Sequence, residues 1–321
     1  MYIKQLKDLS SKLLNETIEA VVLLSEVKVK TTKTDKKYAD IIIQDASRMM
    51  EAKYWDYEEN QEKFKSFQPH EIVQIQGQVG EYGGQLQLTI RNIERASSDK
   101  VSIKDLIPTS PWEFESMKKG LEYFQNRIET PHLKELIDKM IFSAEYYEKF
   151  CTYPAARKVH HNFYRGLLHH TLEVLKLVNT VANTKKLSQH QTDRLFVMTM
   201  LHDWGKMMEY KALPELGLTE KGMMIGHIFL GAHYTLNAIH EINDFPEEDK
   251  LVILNGILGH HGSLEFGSPV LPKTVEAQIL HQADKMSGDV ESILSFIKED
   301  AEEEENFTKR LWNMGTEYYK K

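Results

Sequence analysis

Hydrophobic positions along this chain keep two different rhythms. As far as Ala96 the rhythm is that of strands. "AVVLLSEVKVK" is rich in β-branched residues and partly alternating, and "YADIIIQDAS" is a short apolar run stopped by Asp-Ala-Ser. "EIVQIQGQVG" and "QLQLTIRNIE" alternate, the second placing Leu86, Leu88 and Ile90 on one face. Between these two, Glu81-Tyr82-Gly83-Gly84 predicts a hairpin turn, because glycine supplies positive φ. A single charged, helix-like stretch, Tyr57–Phe67, precedes the fourth strand. From Ser97 the pattern changes. "SSDKVSIKDLIPTSPWEF" carries Ser and Pro punctuation and reads as a linker. Beyond it apolar residues recur at helical spacing in "MKKGLEYFQNRI", "PHLKELIDKMIF", "GLLHHTLEVLKLVNTVAN", "TDRLFVMTMLHD", "EDKLVILNGILGHH" and "TVEAQILHQADKMSGDVESILSFI". The second part is therefore expected to be nearly all α. "AEEEE" (Ala301–Glu305) reads as a solvated acidic turn of helix ahead of a basic, aromatic tail, "FTKRLWNMGTEYYKK", and no internal repeat is visible.

At 321 residues the chain is long enough for two domains with cores of their own. Its 41% hydrophobic and 27% charged residues are ordinary for a globular protein. A net charge of −8 argues against binding polyanions by bulk charge but leaves room for a local basic groove. The single cysteine, Cys151, cannot form an intrachain disulfide. No stretch reaches the roughly 18 apolar residues that span a bilayer. The opening "MYIKQLKDLSSKLL" is charged where a signal peptide is apolar. A cytoplasmic protein with no membrane partner is expected. Histidine is the suggestive count: 14 residues, concentrated between His160 and His281.

About five strands with one helix between the third and fourth is the plan of the OB-fold, a small Greek-key barrel. "YADIIIQDASRMMEAKYWD" resembles the second and third strands of nucleic-acid-binding OB domains of the tRNA-anticodon type. There a turn after an Asp leads into a strand that ends in an aromatic followed by Asp. The match runs from about Asn15 to Ala96. In such domains the exposed barrel face stacks bases and basic loops follow phosphates. On that resemblance Tyr38, Tyr54, Trp55 and Tyr82 are candidate stacking residues, with Lys28, Lys30, Lys33, Lys36 and Lys37 beside them. The plainer reading has the aromatics fill the barrel and the lysines form a solvated hairpin.

In the helical part, histidines and aspartates recur at helix ends: His169-His170, His202-Asp203, His227, His260-His261 and Asp284. Each alone has an ordinary reading. His169 can stand exposed on its helix. Leu195, Met198 and His202 share a face at i, i+3, i+7, so His202 points to the core, where a lone histidine is normally a satisfied core residue. His260-His261 before Gly262 reads as a helix C-terminus. Asp203 fits less well, since the C-terminal end of a helix dipole disfavours negative charge. Together these groups are costly to bury unless something positive binds them. A divalent cation does so. Imidazole suits Zn, Fe, Ni and Mn, and carboxylate shifts preference toward harder ions such as Mn.

The order and contexts of these residues resemble the HD superfamily of metal-dependent phosphohydrolases, whose signature is a His, a His-Asp pair and a later Asp, all on helices. "GLLHHTLEVL" matches at its second His, which makes His170 the first ligand and leaves His169 out. "LHDWGK" supplies His202 and Asp203, and "ILHQADKMSG" supplies Asp284. His227 in "MIGHIFLG" and His260-His261 in "GHHG" match members that hold two metals, where the Asp of the pair bridges both ions. The resemblance thus implies one site of His170, His202, Asp203 and Asp284, and another of Asp203, His227 and one or both of His260 and His261. Two cations can hold a phosphoryl group and lower the pKa of a shared water for in-line attack on phosphorus. Asp203 then carries the catalysis and Lys206 offsets charge on phosphate oxygens, a surface lysine being the plainer reading of the latter. His161 and Arg165, just before the first ligand helix, are candidate substrate contacts.

An OB barrel of nucleic-acid type ahead of a dimetal HD domain resembles the YhaM family of 3′-to-5′ exoribonucleases. The likeness runs almost the full length and includes "SPVLPKTVEAQILHQADKMSG" and "FTKRLW". It implies an α+β multidomain chain, a five-stranded OB-fold β-barrel followed by an all-α HD domain. It also implies Mn-dependent removal of nucleotides from the 3′ end of single-stranded RNA, and action on single-stranded DNA, with Fe or Ni as other metals. The expected divisions are an N-terminal arm (1–14), the OB domain (15–96), a linker with helical segments (97–125), the HD domain (126–300) and the tail (301–321). The alternative is a nucleotide or cyclic-dinucleotide phosphohydrolase with a regulatory OB domain. A non-catalytic RNA-binding module is disfavoured by the intact ligand positions. Nothing in the sequence fixes an oligomeric state.

Overall fold

The computed structural model describes the chain except residues 68–70, 83–84, 97–102, 157–162, 213–216, 300–304 and 313. Of Tyr82, Gln85, Ile103, Lys104 and Glu299 it describes the backbone alone. Contacts divide the described residues into two units, one reaching to Thr109 and the other starting at Ser110.

The first unit is built on β1 (Thr17–Thr31), β2 (Lys37–Gln44), β3 (Met49–Tyr54), α1 (Gln61–Ser66), β4 (Glu71–Tyr82) and β5 (Gln85–Arg95), followed by α2 (Ile103–Leu106). The strands close into a barrel in the order β1-β2-β3-β5-β4. Every pairing is antiparallel except β3 with β5. Closure depends on β1, whose 15 residues pair first with β4 (Val22 opposite Val73) and then with β2 (Val27 opposite Ile41). A register shift between Leu24 and Glu26 bends the strand from one partner to the other. Alternation fills the inside: Ile18, Val22, Ile41, Ile43, Ile75, Leu88 and Ile90 are buried, and Leu86 packs half-buried against them. Helix α1 closes one end by inserting Phe64 among Tyr54, Tyr57 and Phe67.

The stretch 97–125 divides between the units. Leu106 and Ile107 pack on the outer face of β1 at Leu23, whereas Ser110 bonds to His169 in the helical unit.

The second unit is helical: α3 (Phe114–Asn126), α4 (Pro131–Met140), α5 (Tyr147–Thr152), α6 (Gly166–Lys185), α7 (Gln189–Leu201), α8 (Lys206–Glu209), α9 (Glu220–His240), α10 (Glu247–Gly259) and α11 (Val275–Glu299). Helix α7 is buried on every side from Thr192 onward, and so forms the axis around which the others pack. Trp204, just beyond it, is fully buried with its indole N–H donated to the Met140 carbonyl at 2.6 Å. A polar node fastens α4, α7 and α10: buried Asp249 takes hydrogen bonds from His132, His190 and Arg194. Helix α9 escapes the periodicity reading because Gly222, Gly226 and Gly231 interrupt its pattern. At Gly226 the backbone leaves the helix altogether (φ 69°, ψ 163°). No described helix is long and apolar enough to cross a membrane.

Candidate metal centre

Five helices bring their ends or inner faces to one place. Helix α6 offers His170 near its start; α7 ends into His202 and Asp203. The second half of α9 opens at His227 directly after the Gly226 break, α10 ends into His260 and His261, and α11 carries Asp284. Oδ2 of Asp203 lies 3.5 Å from His170 Nε2 and 3.4 Å from His202 Nε2. Asp284 Oδ1 completes that side, 3.0 Å from His170 Nε2 and 3.8 Å from His202 Nε2. The other oxygen of Asp203, Oδ1, lies 3.6 Å from His227 Nε2 and 3.7 Å from His260 Nε2. The His261 ring joins this second side, 4.3 Å from that of His260 and 5.4 Å from that of His227. One carboxylate therefore faces two histidine groups with its two oxygens.

Backbone carbonyls set the direction of the rings. The Nδ1–H of His202 donates to the Thr199 carbonyl, that of His260 to Ile257, and that of His261 to Phe266, at 2.7, 2.7 and 2.8 Å. A carbonyl only accepts, so Nδ1 holds the proton and the Nε2 lone pair is left to bind. His227 is fixed differently: its Nδ1 and its backbone N–H both point to the Glu209 carboxylate, at 3.3 and 3.1 Å. His170 Nδ1 meets Ser287, whose hydroxyl donates to Glu173 at 3.0 Å.

Whether these residues suit a metal can be judged from what they leave unmet. Asp203 Oδ1, His227 Nε2 and His260 Nε2 are buried with no hydrogen-bond partner among the described residues. The Nε2 atoms of His170 and His202 face each other at 3.2 Å. Buried acceptors left in this way are costly, and a cation satisfies several at once. The donor set, imidazole nitrogens with two carboxylates, is that of a divalent transition ion. Electrostatics agree. Burial works to raise the Asp203 carboxyl, but Lys206 and His202 outweigh it and hold the group well below the usual carboxylate range. Asp284 is likewise held low against burial by His170 and His202. Burial, aided by His261, pushes His260 well down, so its ring is neutral and able to ligate. At His202 burial opposes a proton, yet Asp203 and Asp284 raise the group, a measure of how strongly the two carboxylates attract positive charge.

All of these groups but the fully buried His202 line a cavity of ≈ 660 Å³ together with Lys206, whose ammonium sits 2.6 Å from Asp203 Oδ2. Arg165 stands away from the cavity lining; its guanidinium stacks 3.7 Å from the centre of the Phe114 ring. His161 lies outside the described residues. His169 is not exposed. It is buried, stacked on Trp112 at 4.0 Å and bonded to Ser110, which makes it a packing residue of the α6 start. The sequence reading missed Glu209, Ser287, His281, Tyr210, Phe266 and Met314 around the cavity. Only the fold brings them there, and no local pattern marks them.

On the barrel, period-2 alternation in β3 corrects one expectation. Tyr54 points inward and is 5% exposed, packed on Phe64, so it fills the barrel and offers no stacking face. Its neighbour Trp55 is outside, paired with Tyr38 at 4.7 Å between ring centres, with the Lys53 ammonium 5.8 Å from the Tyr38 ring. Lys53 was not among the residues read from sequence. Lys28 is paired with Glu26, Lys30 with Asp40 and Lys36 with Asp56, as the solvated-hairpin reading expects. Lys33 in the β1–β2 turn and Lys37 at the start of β2 are exposed. The Tyr82 side chain and the Gly83-Gly84 turn lie outside the described residues.

Comparison with known proteins follows the same division. Residues 167–289 match the HD domain family, and residues 18–96 match an OB-fold nucleic acid binding domain family. The chain is 29% identical to the 3′-5′ exoribonuclease YhaM of Geobacillus sp., covering 87% of this chain and 84% of that protein. It is 30% identical over 284 residues to the protein of that name from Listeria monocytogenes, with 88% of each covered. With the one from Bacillus licheniformis it shares 30% identity over 87% of this chain and 88% of the other.

Proposed function

The chain belongs to the family of 3′-5′ exoribonucleases YhaM, and from that premise we propose that it removes nucleotides from the 3′ end of single-stranded RNA, and of single-stranded DNA, by metal-dependent hydrolysis of the terminal phosphodiester. The HD domain makes the enzyme a divalent-metal-dependent phosphodiesterase. We assign it two ions, Mn in preference to Fe or Ni, on the mixed imidazole and carboxylate donors. The observation that carries the reading is the orientation of Asp203, each oxygen turned to its own histidine group.

His170, His202, Asp203 and Asp284 would hold one ion; Asp203, His227, His260 and His261 would hold the other. Ions bound there supply charge for the phosphate oxygens and acidify water, which gives a nucleophile near neutral pH. The protein's own groups do the rest. Asp203, with one oxygen toward each histidine group, would contribute to both positions. The Thr199 and Ile257 carbonyls keep His202 and His260 in the ligating tautomer. Lys206, on the cavity wall, brings a positive charge toward the scissile phosphate. On the barrel the Tyr38–Trp55 pair suits a single strand, since aromatic faces accept any base, and the exposed Lys33 and Lys37 can follow its backbone, whereas Lys53 is already paired with Asp40 and Glu51. Cys151 is free and buried, which suits a cytoplasmic enzyme.

The test is a 5′-labelled single-stranded RNA incubated with the protein and Mn. A ladder that shortens from the 3′ end, and stops on chelation, supports the proposal. Hydrolysis of mononucleotides or cyclic dinucleotides with both RNA and single-stranded DNA left intact would sink it. Asp203→Ala should abolish shortening and leave RNA binding largely in place.

A further inference from the structure

The metal cavity has a second chemistry in its lining. Beyond the histidines, Asp203, Asp284 and Lys206, it is bounded on one part by Phe266, Tyr210, Met314, Ala155 and Ala156, and on another by a polar stretch of α11 from Lys285 to Ser292. Phe266 is the odd member, an aromatic ring 62% exposed beside a group of titratable residues. A floppy loop does not explain that exposure. The turn that carries the ring is tied by Phe266 N–H to Ser263, Gly267 N–H to Leu264 and Ser268 N–H to Ser263, at 3.2, 3.1 and 3.1 Å. Gly262 and Gly267 supply the positive φ angles (82° and 92°) that let the chain reverse on either side. The Phe266 carbonyl also accepts the Nδ1–H of His261 at 2.8 Å. The same residue that orients a candidate ligand thus presents a bare ring to the space in front of it.

The size of that space adds a second observation. Ions and one phosphate do not fill ≈ 660 Å³, a volume within the roughly 300–1,000 Å³ of sites that enclose a small organic ligand. With Lys206 and the ions that the histidines would hold taking the phosphate, the group left to meet an apolar, aromatic wall is flat and weakly polar. We propose that this wall is the seat of the 3′-terminal nucleobase, with the Phe266 ring as its stacking surface; the proposal rests on the exonuclease reading above. Every base presents a π-face, so a seat of this kind positions the terminal nucleotide without reading its identity. Stacking acts before and during bond breakage alike, so its loss falls on KM and spares kcat.

The experiment compares the full-length enzyme with Phe266→Ala, Phe266→Trp and Leu264→Ala on two RNAs, one ending in an ordinary nucleotide and one in an abasic nucleotide. Leu264 lies on the same turn, 70% exposed and outside the cavity lining, and so controls for effects of the loop or of a partner surface. The expected result is a rise in KM of about 10-fold for Phe266→Ala on ordinary RNA, with Phe266→Trp and Leu264→Ala close to wild type. Removing the terminal base should weaken the wild type by a similar factor and leave Phe266→Ala no worse than before. An unchanged Phe266→Ala overturns the seat, as do two losses that multiply, or a Leu264→Ala that loses as much. A wild type that shortens neither RNA overturns the exonuclease reading itself, and the seat with it.

Discussion

At Asp203 burial and the end of a helix dipole both oppose a charged carboxylate, and Lys206 with the neighbouring imidazoles keeps it charged. That misfit was legible from "MLHDWGK" alone, because a carboxylate at the wrong end of a helix asks for a cation. Glu209, which aligns His227, was not legible: an acid in a short helical turn has no local feature that separates it from a solvated one. Glu209→Gln keeps the shape but puts an amide where two N–H groups need an acceptor. Metal titration of this variant should show affinity at the His227 side weakened about 10-fold or more, with the fold intact by circular dichroism. An unchanged titration would mean that His227 needs no such partner. Cys151 gives a contrary case. Burial pushes its thiol up to about 12, so a thiol reagent at neutral pH should label it only after denaturant is added, and labelling of the native protein would contradict that burial.

Among the elements, those with unbroken helical periodicity, such as α6, α7, α10 and α11, could be read directly, as could the alternating strands. Helix α9 could not, because its glycines are placed for contact and for a bend rather than for helix propensity. A Cβ on Gly222 would sit 2.3 Å from the Glu209 carbonyl oxygen, and one on Gly205 only 2.0 Å from that of His227. Both contacts are with backbone that cannot turn aside. Gly205→Ala should therefore destabilise the helical unit by about 1–3 kcal/mol, seen as a melting temperature lower by several degrees; an unchanged value would show that the α8–α9 approach is looser than described. The barrel makes a similar point about α2. Because Leu106 and Ile107 cover Leu23, a fragment of residues 1–109 should melt at a higher temperature than one of residues 1–96, which leaves that apolar face in water. Equal melting would remove α2 from the barrel's account.

The whole molecule joins a barrel and a helical unit, each with its own core, and that plan was open to a reader of hydrophobic rhythm. What rhythm could not show is how distant positions meet, as His132, His190 and Arg194 do at Asp249. Burial works to raise that carboxyl, but hydrogen bonds from His132, Arg194 and His190 overcome it and lower the group below its ordinary value. A depressed folded pKa adds stability that is complete above the unfolded value near about 4 and is lost as pH falls through the folded one. Asp249→Asn should lower the melting temperature at pH 7 and flatten its fall in acid. A variant that keeps the wild-type acid slope would show that the node contributes nothing to it.

The polarity of the metal cavity has one more consequence. Asp203, Asp284 and Glu209 surround the histidines, Lys206 is already drawn to Asp203, and Lys285 on the wall is engaged by Asp289. Before any cation enters, the carboxylates of the cavity repel a phosphodiester; loaded with divalent ions, it would draw in the end of a strand that the barrel already holds, on a chain whose net charge is −8. Order of arrival is thus built into the charge arithmetic: the ions come first, and an RNA end lodges only in an enzyme already armed to cut it.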